Sequence, residues 1–284
     1  MKAPSFAFAR PDSVAEALAL LARHGDAARV LAGGQSLIPS LNMRLSSPRL
    51  LVDITGLAEL AGIRKEGAVL RVGALTRHSE IERSEEIARH VPLLAQAAPH
   101  VAHVAIRNAG TLGGSIALAD PAAEYPACVL ALEATLVVAG AKGERRVAAR
   151  EFFRALYTTA LAPGELLTAV EFPLLERGYR SVFLELARRH GDYAIVGLAA
   201  HARVDNKTVS DLRLAYLGVG ATPVRALRAA AAMEGRTCDP QSVAAAQAAL
   251  GEDLDPSPDL YHSAAAKLHL ARVLTGRALA ALVQ

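Results

Sequence analysis

The chain has no Trp, and aromatic residues make up only 4% of its 284 residues. Ala and Leu must therefore fill most of the interior. There are two cysteines, Cys128 and Cys238, and no CxxC. That excludes a disulfide framework and leaves no ligand set for zinc or an iron–sulfur cluster within the chain. Cys128 lies in the apolar stretch Ala127–Leu132 and reads as a packed thiol. No run is long and apolar enough to span a bilayer. Met1–Pro11 also lacks the apolar core of a signal peptide. A cytoplasmic location is the expectation.

Several chemical motifs are missing too. There is no GxxxxGK[ST], HExxH or GxSxG. No GxGxxG occurs; Gly218-Val219-Gly220 runs into Thr222-Pro223 and lacks the third glycine, so it reads as a turn. The nine His form no spaced ligand set, so no metal site is expected. A net charge of +3 with scattered basic residues does not make a nucleic-acid face. Arg145-Arg146 and Arg188-Arg189 are the nearest approach to clusters, and the first reads as solvated surface.

What is present supports a sizeable core: 52% hydrophobic and 21% charged residues. The length suggests about two domains. Ser13-Val14-Ala15-Glu16 reads as a capping box, with Val14, Ala17, Leu18 and Leu21 on one helical face and Gly25 at its end. A strand over Arg29–Ala32, a short helix over Ser36–Leu45 and a strand over Leu50–Ile54 follow. Ala68–Val72, Thr135–Val138 and Leu166–Phe172 read as strands. Thr76–Ala98 reads as mostly helical, and Glu124–Glu133 as a helix. Beyond Tyr179 the texture changes. Val182–Ala187, Ala194–Val204 and Thr208–Val219 read as successive strands, the last two joined by the hairpin signal Asp205-Asn206-Lys207. Helices are expected around Pro223–Met233, Gln241–Leu250 and Tyr261–Leu282.

Four segments carry candidate chemistry. The first is Ala32-Gly33-Gly34-Gln35-Ser36, between a strand and a helix. Paired glycines remove Cβ atoms where an anion must approach the backbone, and successive amides form an anion-binding concavity. An ordinary tight turn explains the same residues. The second is Arg107 to Ser115, with Thr111-Leu112-Gly113-Gly114-Ser115 repeating the glycine-pair logic; a diphosphate between two such loops is the economical explanation. Arg107 is either a phosphate partner or a surface arginine. The third is Asp120 to Glu124. Glu124 suits the start of a helix by its charge alone, or accepts from a ribityl or ribose hydroxyl. The fourth is Arg188 to Tyr193, whose Tyr193 either packs on a flat cofactor ring or fills core. His100 and His103 either touch a cofactor or face solvent.

Taken together, these residues resemble a known family. Leu31 to Leu37 resembles the first FAD loop of the carbon monoxide dehydrogenase flavoprotein type, a family shared with the xanthine dehydrogenase FAD domain. Ile106 to Ser115, followed by Ala119-Asp120-Pro121-Ala122, resembles the second. Ala187 to Ala194 resembles the segment that opens the C-terminal domain. The resemblance implies an α+β fold: a PCMH-type FAD-binding domain over 1–176, with subdomains 1–56 and 57–176. A C-terminal α+β domain over 177–284 would then hold a three-stranded antiparallel sheet and helices. It implies FAD contacts at Ala32, Gly33, Gly34, Gln35, Ser36, Thr111, Leu112, Gly113, Gly114, Ser115, Glu124 and Tyr193, the last near the isoalloxazine. Contacts from Leu166–Ala169 are also implied. No catalytic acid or base is nominated, because the organic chemistry would belong to cofactors.

The implied role is electron transfer in a molybdenum hydroxylase. Electrons would come from the 2Fe-2S clusters of a small subunit, and a large subunit would carry the molybdenum cofactor. The implied assembly is a dimer of heterotrimers. Two other readings stay open: a self-contained FAD-dependent reductase, and a nucleotide-binding module without redox work.

Overall fold

The computed structural model of the chain describes residues 2–284. Its first unit is a small three-stranded sheet in the order Ala7–Ala9, Leu50–Asp53, Ala28–Leu31, with both pairings parallel. The central strand is buried at every position, as a strand covered on both faces should be. Helix Val14–His24 packs on it through Ala17 and Leu21. The Ser13 hydroxyl accepts from the Glu16 amide at 3.2 Å. The Glu16 carboxylate accepts from the Asp12 amide at 2.8 Å, one residue earlier than a capping box expects. Gly25 then closes the helix at φ +50°, a conformation that favours glycine.

The second unit is a five-stranded antiparallel sheet in the order Ile63–Glu66, Val69–Gly73, Leu166–Pro173, Thr135–Gly140, Gly143–Ala148. The two edge strands did not declare themselves in the sequence. Both are exposed along most of their length and charged, a pattern that keeps a sheet edge from pairing with another chain. Arg145 and Arg146 lie on one of them, paired with Glu165 and Glu171. The expected helix over 76–98 is three short ones: His78–Arg83, Glu85–His90 and Pro92–Ala97. Ser84 ends the first and caps the second, accepting from the Ile87 amide. Pro92 opens the third, where its missing amide hydrogen costs nothing.

The third unit is the antiparallel meander Tyr179–Ala187, Ala194–Asp205, Thr208–Leu217. Its hairpin places Asn206 and Lys207 at φ +45° and +66°, as a tight primed turn requires. Two short strands, Val224–Arg225 and Arg236–Thr237, extend the sheet. Helices Leu227–Met233, Pro240–Asp253 and Ala264–Leu282 enclose one core with Leu198, Leu214 and Tyr216. The opposite face carries Phe183, Ala199, Ala215 and Leu217. That face packs on helix Glu124–Ala131, every residue of which is buried. This helix is the seam between the second and third units.

Candidate functional site

The first glycine segment leaves the end of strand Ala28–Leu31 and enters the short helix Leu37–Asn42. Gly34 adopts φ +72°, the left-handed region that glycine tolerates. The Gln35 side-chain amide donates to the Gly33 carbonyl at 2.8 Å and braces the loop. Among the described residues, no protein acceptor takes the backbone N–H groups of Gly33, Gly34, Gln35 or Ser36. The loop is therefore a run of free donors, the arrangement that binds anions.

The second segment has a different build. Thr111 caps helix Leu112–Leu118, its hydroxyl accepting from the Gly114 amide at 3.1 Å. The sequence suggested a glycine turn; Gly113 and Gly114 instead lie in the first turn of this helix. The Leu112 amide is held by the Thr76 carbonyl and the Gly113 amide by the Ala74 carbonyl. A Cβ on Gly113 would lie 2.4 Å from the Ala74 Cβ, so this glycine serves helix-on-strand packing. The second segment is scaffold more than donor.

The two segments touch. A Cβ on Gly33 would lie 2.2 Å from the Ala109 carbonyl oxygen and 2.6 Å from the Gly110 Cα. Glycine at 33 lets one backbone rest directly on the other. Beneath Gly110 lies His78, whose Nε2 would be 2.6 Å from a Cβ at residue 110. Arg107 is not a surface arginine, and its guanidinium is engaged by the protein itself. It is 5% exposed, pairs with Glu82 at 2.8 Å, and donates to the carbonyls of Val101 and Ala102 at 3.2 and 2.9 Å. It fixes the approach to the second segment.

On the far side of helix Leu112–Leu118, Ala119 turns the chain at φ +55°. Asp120 Oδ1 then accepts from the Ala122 amide, and the Pro121 carbonyl accepts from Gly218 of the third unit. Glu124 follows and is buried. Burial, and then the Asp120 charge, push its pKa up to about 7. Tyr193 is 78% exposed, which rules out the core alternative for it. Partial desolvation, and then the Asp120 and Glu124 charges, raise its pKa. Gly191, at φ +87°, lies against His103. His100 stacks on His190, with ring centroids 6.1 Å apart.

Ala32 to Ser36 thus meet Ala109 and Gly110, the residues just ahead of Thr111 to Ser115, and Glu124 and Tyr193 both feel the Asp120 charge. Two buried polar residues in this region went unnoticed in the sequence. The His78 and Tyr125 rings lie 5.2 Å apart, and His78 Nδ1 and the Tyr125 hydroxyl have no partner among the described residues. Glu185 Oε2 is a third such atom. Burial, then the Glu124 charge, raise the Glu185 pKa to about 8. No local pattern marks either His78 or Glu185.

Residues 4–175 match the family described as the FAD binding domain in molybdopterin dehydrogenase. The chain belongs to that family. Residues 181–282 match the CO dehydrogenase flavoprotein C-terminal domain. The 6-hydroxypseudooxynicotine dehydrogenase complex subunit alpha of Paenarthrobacter nicotinovorans is 42% identical over 281 residues, covering 99% of this chain and 95% of that one. The carbon monoxide dehydrogenase medium chain of Hydrogenophaga pseudoflava is 36% identical, covering 97% and 96%. A solved carbon monoxide dehydrogenase from the same organism superposes with a TM-score of 0.97 at 38% identity, covering 99% and 98% of the two chains. Quinoline 2-oxidoreductase from Pseudomonas putida 86 gives 0.93 at 38% identity, with the same coverage. As a member of this FAD-binding family the chain is an oxidoreductase subunit with an α+β fold. No helix among the described residues is long and apolar enough to cross a membrane.

Proposed function

We propose that this chain is the electron-transferring flavoprotein subunit of a molybdenum hydroxylase. It takes electrons from 2Fe-2S clusters of a small partner subunit and passes them to an external acceptor. A large partner subunit carries the molybdenum cofactor and the organic substrate, and the assembly is a dimer of heterotrimers. The observation that carries the reading is the Gly33 contact with Ala109 and Gly110. It closes a cradle lined by free amides from Gly33 to Ser36. A side chain at residue 33 would drive the two segments apart and open that cradle, and the donor set suits a diphosphate. The division into an FAD-binding domain, 1–176, and a C-terminal domain, 177–284, accords with this reading.

On this reading Ala32, Gly33, Gly34, Gln35 and Ser36 receive the diphosphate. Thr111, Leu112, Gly113, Gly114 and Ser115 hold the opposite wall, with Thr111 and Ser115 offering hydroxyls. Glu124 and Tyr193 stand where the ribityl chain and ring would lie. FAD, when bound, supplies reversible electron exchange between the clusters and the acceptor. The protein supplies position, and Tyr193 covers the ring side from solvent. No cluster of His, Cys, Asp or Glu able to hold a metal occurs among the described residues.

Reconstitution tests the proposal. The flavin-loaded chain is mixed with the molybdenum and iron–sulfur subunits, and substrate-dependent bleaching of the flavin is followed. Bleaching is expected only with all three subunits. Turnover of the organic substrate by the chain alone would replace this reading with a self-contained reductase. A chain that never takes up flavin would leave only a nucleotide-binding module.

A further inference from the structure

The second glycine segment is held in place by another part of the chain. Residues 74–78, which continue from strand Val69–Gly73, lie beside it, and the two pair antiparallel at Arg77 and Thr111. The Ala74 carbonyl accepts from the Gly113 amide at 2.8 Å and the Thr76 carbonyl from the Leu112 amide at 3.0 Å. The His78 amide donates to the Gly110 carbonyl at 3.0 Å. Residues 74–76 are tied down in turn. The Ala74 amide donates to the Thr168 carbonyl at 2.9 Å and the Leu75 amide to the Leu60 carbonyl at 2.8 Å. The Thr76 hydroxyl accepts from the Gly62 amide at 3.0 Å and donates to the Gly62 carbonyl at 3.1 Å.

His78 adds a side chain to this backbone contact. A Cβ on Gly110 would lie 2.6 Å from its Nε2 and 2.8 Å from its Cδ2. The imidazole edge therefore occupies the space that a side chain at residue 110 would take. The next atom is the Ile106 carbonyl oxygen at 3.2 Å, with Gly33 farther off, so Gly33 and His78 approach Gly110 from different directions. The imidazole is buried. It meets the Tyr125 ring at a centroid distance of 5.2 Å, the planes tilted by 52°. Tyr125 is fully buried in helix Glu124–Ala131 and has nowhere to retreat. Gly33, Gly110, His78 and Tyr125 thus form a continuous stack. A close-packed interior has little slack, so a change in one layer is felt in the next. Burial, and then Arg107, push the His78 pKa down to about 4, so the wedge carries no charge at neutral pH.

We propose that His78 is a positioning residue of the flavin site: its imidazole edge holds the Gly110 backbone at the height where Gly33 closes on it, and so shapes the run of free amides from Gly33 to Ser36. The flavin half of this rests on the reading above. The mechanical half, in which His78 acts on Gly33 through Gly110, does not. His78 itself touches no cofactor, and no proton moves.

The test has two arms, both on the full-length chain. The first measures FAD affinity by equilibrium dialysis, on protein that circular dichroism shows to be folded. His78→Gln can set its side-chain amide where Nε2 lies, whereas His78→Asn reaches only as far as Nδ1. His78→Asn is expected to weaken FAD binding by roughly 10-fold, and His78→Gln to restore most of that loss. A packing role alone would lower the urea midpoint of both variants without separating their FAD affinities. Equal affinities in the two, or an unchanged affinity in His78→Asn, overturn the flavin half. The second arm needs no flavin. It is a double-mutant cycle on the urea midpoint between Gly33→Ala and His78→Ala. Without the ring, Gly110 can yield to a Cβ at residue 33, so Gly33→Ala is expected to shift the midpoint less in the His78→Ala background than in the wild type. Additive shifts overturn the mechanical half. Should Gly33→Ala not fold alone, restored folding in the double variant is the expected result, and a double variant that stays unfolded overturns the claim. Should His78→Ala not fold, the same cycle with His78→Asn decides. If the wild-type chain takes up no FAD, the site assignment and the flavin half fall together, and the cycle still decides whether His78 acts on Gly33.

Discussion

Gly33 rests on the backbone of Ala109 so closely that a Cβ at residue 33 would lie 2.2 Å from the Ala109 carbonyl oxygen. Atoms cannot approach so near, so Gly33→Ala must push the two segments apart. Gly34 is constrained differently. A Cβ there would touch only the side chains of Ile38 and Leu31, at 3.2 and 3.4 Å. Its φ of +72° would still cost a substituted residue about 1–2 kcal/mol. Gly114 has the mildest constraint, a 2.9 Å approach to the Thr111 hydroxyl. Loss of flavin is therefore expected in the order Gly33→Ala, Gly34→Ala, Gly114→Ala. The first should weaken retention by at least ~10-fold, equivalent to about 1.4 kcal/mol. Equilibrium dialysis against FAD measures it, and full retention by Gly33→Ala would show that the cradle is not the diphosphate site.

Tyr193 and Tyr261 are both 78% exposed, which makes them a matched pair. Tyr216 would be a poor control, since it is fully buried and its hydroxyl lies 2.6 Å from that of Thr275. Tyr193→Ala is expected to shift the flavin potential by roughly 10–30 mV, the equivalent of an aromatic contact worth about 0.5–1.5 kcal/mol. Tyr261→Ala should leave it unmoved. Spectroelectrochemistry of the two variants decides, and equal potentials would remove Tyr193 from the ring.

Buried titratable groups set the pH dependence of folding in the flavin-free chain. His201 is held down to about 4 by burial and then by Arg213. His78 is held down to about 4 by burial and then by Arg107. Both are neutral in the fold, so their contribution is present above pH 6.5 and fades as pH falls toward about 4. Glu124 and Glu185 behave oppositely. Their contribution is complete below about 4.5 and fades as pH rises through about 7 and about 8. The two effects offset each other between about 4.5 and 6.5. A plateau there with a fall on either side is expected, the alkaline fall being about 2 kcal/mol. Urea midpoints across pH measure it. His201→Gln should flatten the acid limb and Glu185→Gln the alkaline one; limbs unchanged in both variants would refute the assignment.

Much of the architecture was written in local patterns. Ser13, Gly25 and the Asp205-Asn206-Lys207 turn act where their chemistry says they should. The meander follows from strand-length apolar runs. What escaped reading depends on long-range packing. Gly113-Gly114 resembles a turn because glycine is a poor helix former, and only the nearby Ala74 backbone explains a glycine inside a helix there. The all-parallel pairing of the first sheet is set by chain crossings, not by any residue. Glu185 looks like a routine polar position in a strand, and only the folded chain shuts its Oε2 off from water. Arg107 looked superficial for the same reason: its partners, Glu82 and the carbonyls of Val101 and Ala102, converge only in three dimensions.

The Gly33 contact also bears on how the chain holds together. It joins a segment that leaves the parallel sheet to one that follows the short helices of the second unit. Bringing residues 33 and 109 side by side closes a long loop, and that closure carries an entropic penalty which grows slowly with loop length. A diphosphate seated against both backbones would bind the closed arrangement and not the open one. Cofactor loading would then act as a clasp between the two halves of the domain. Its grip would rise with the logarithm of free FAD concentration over the dissociation constant. Starved of flavin, the chain would part first along this line.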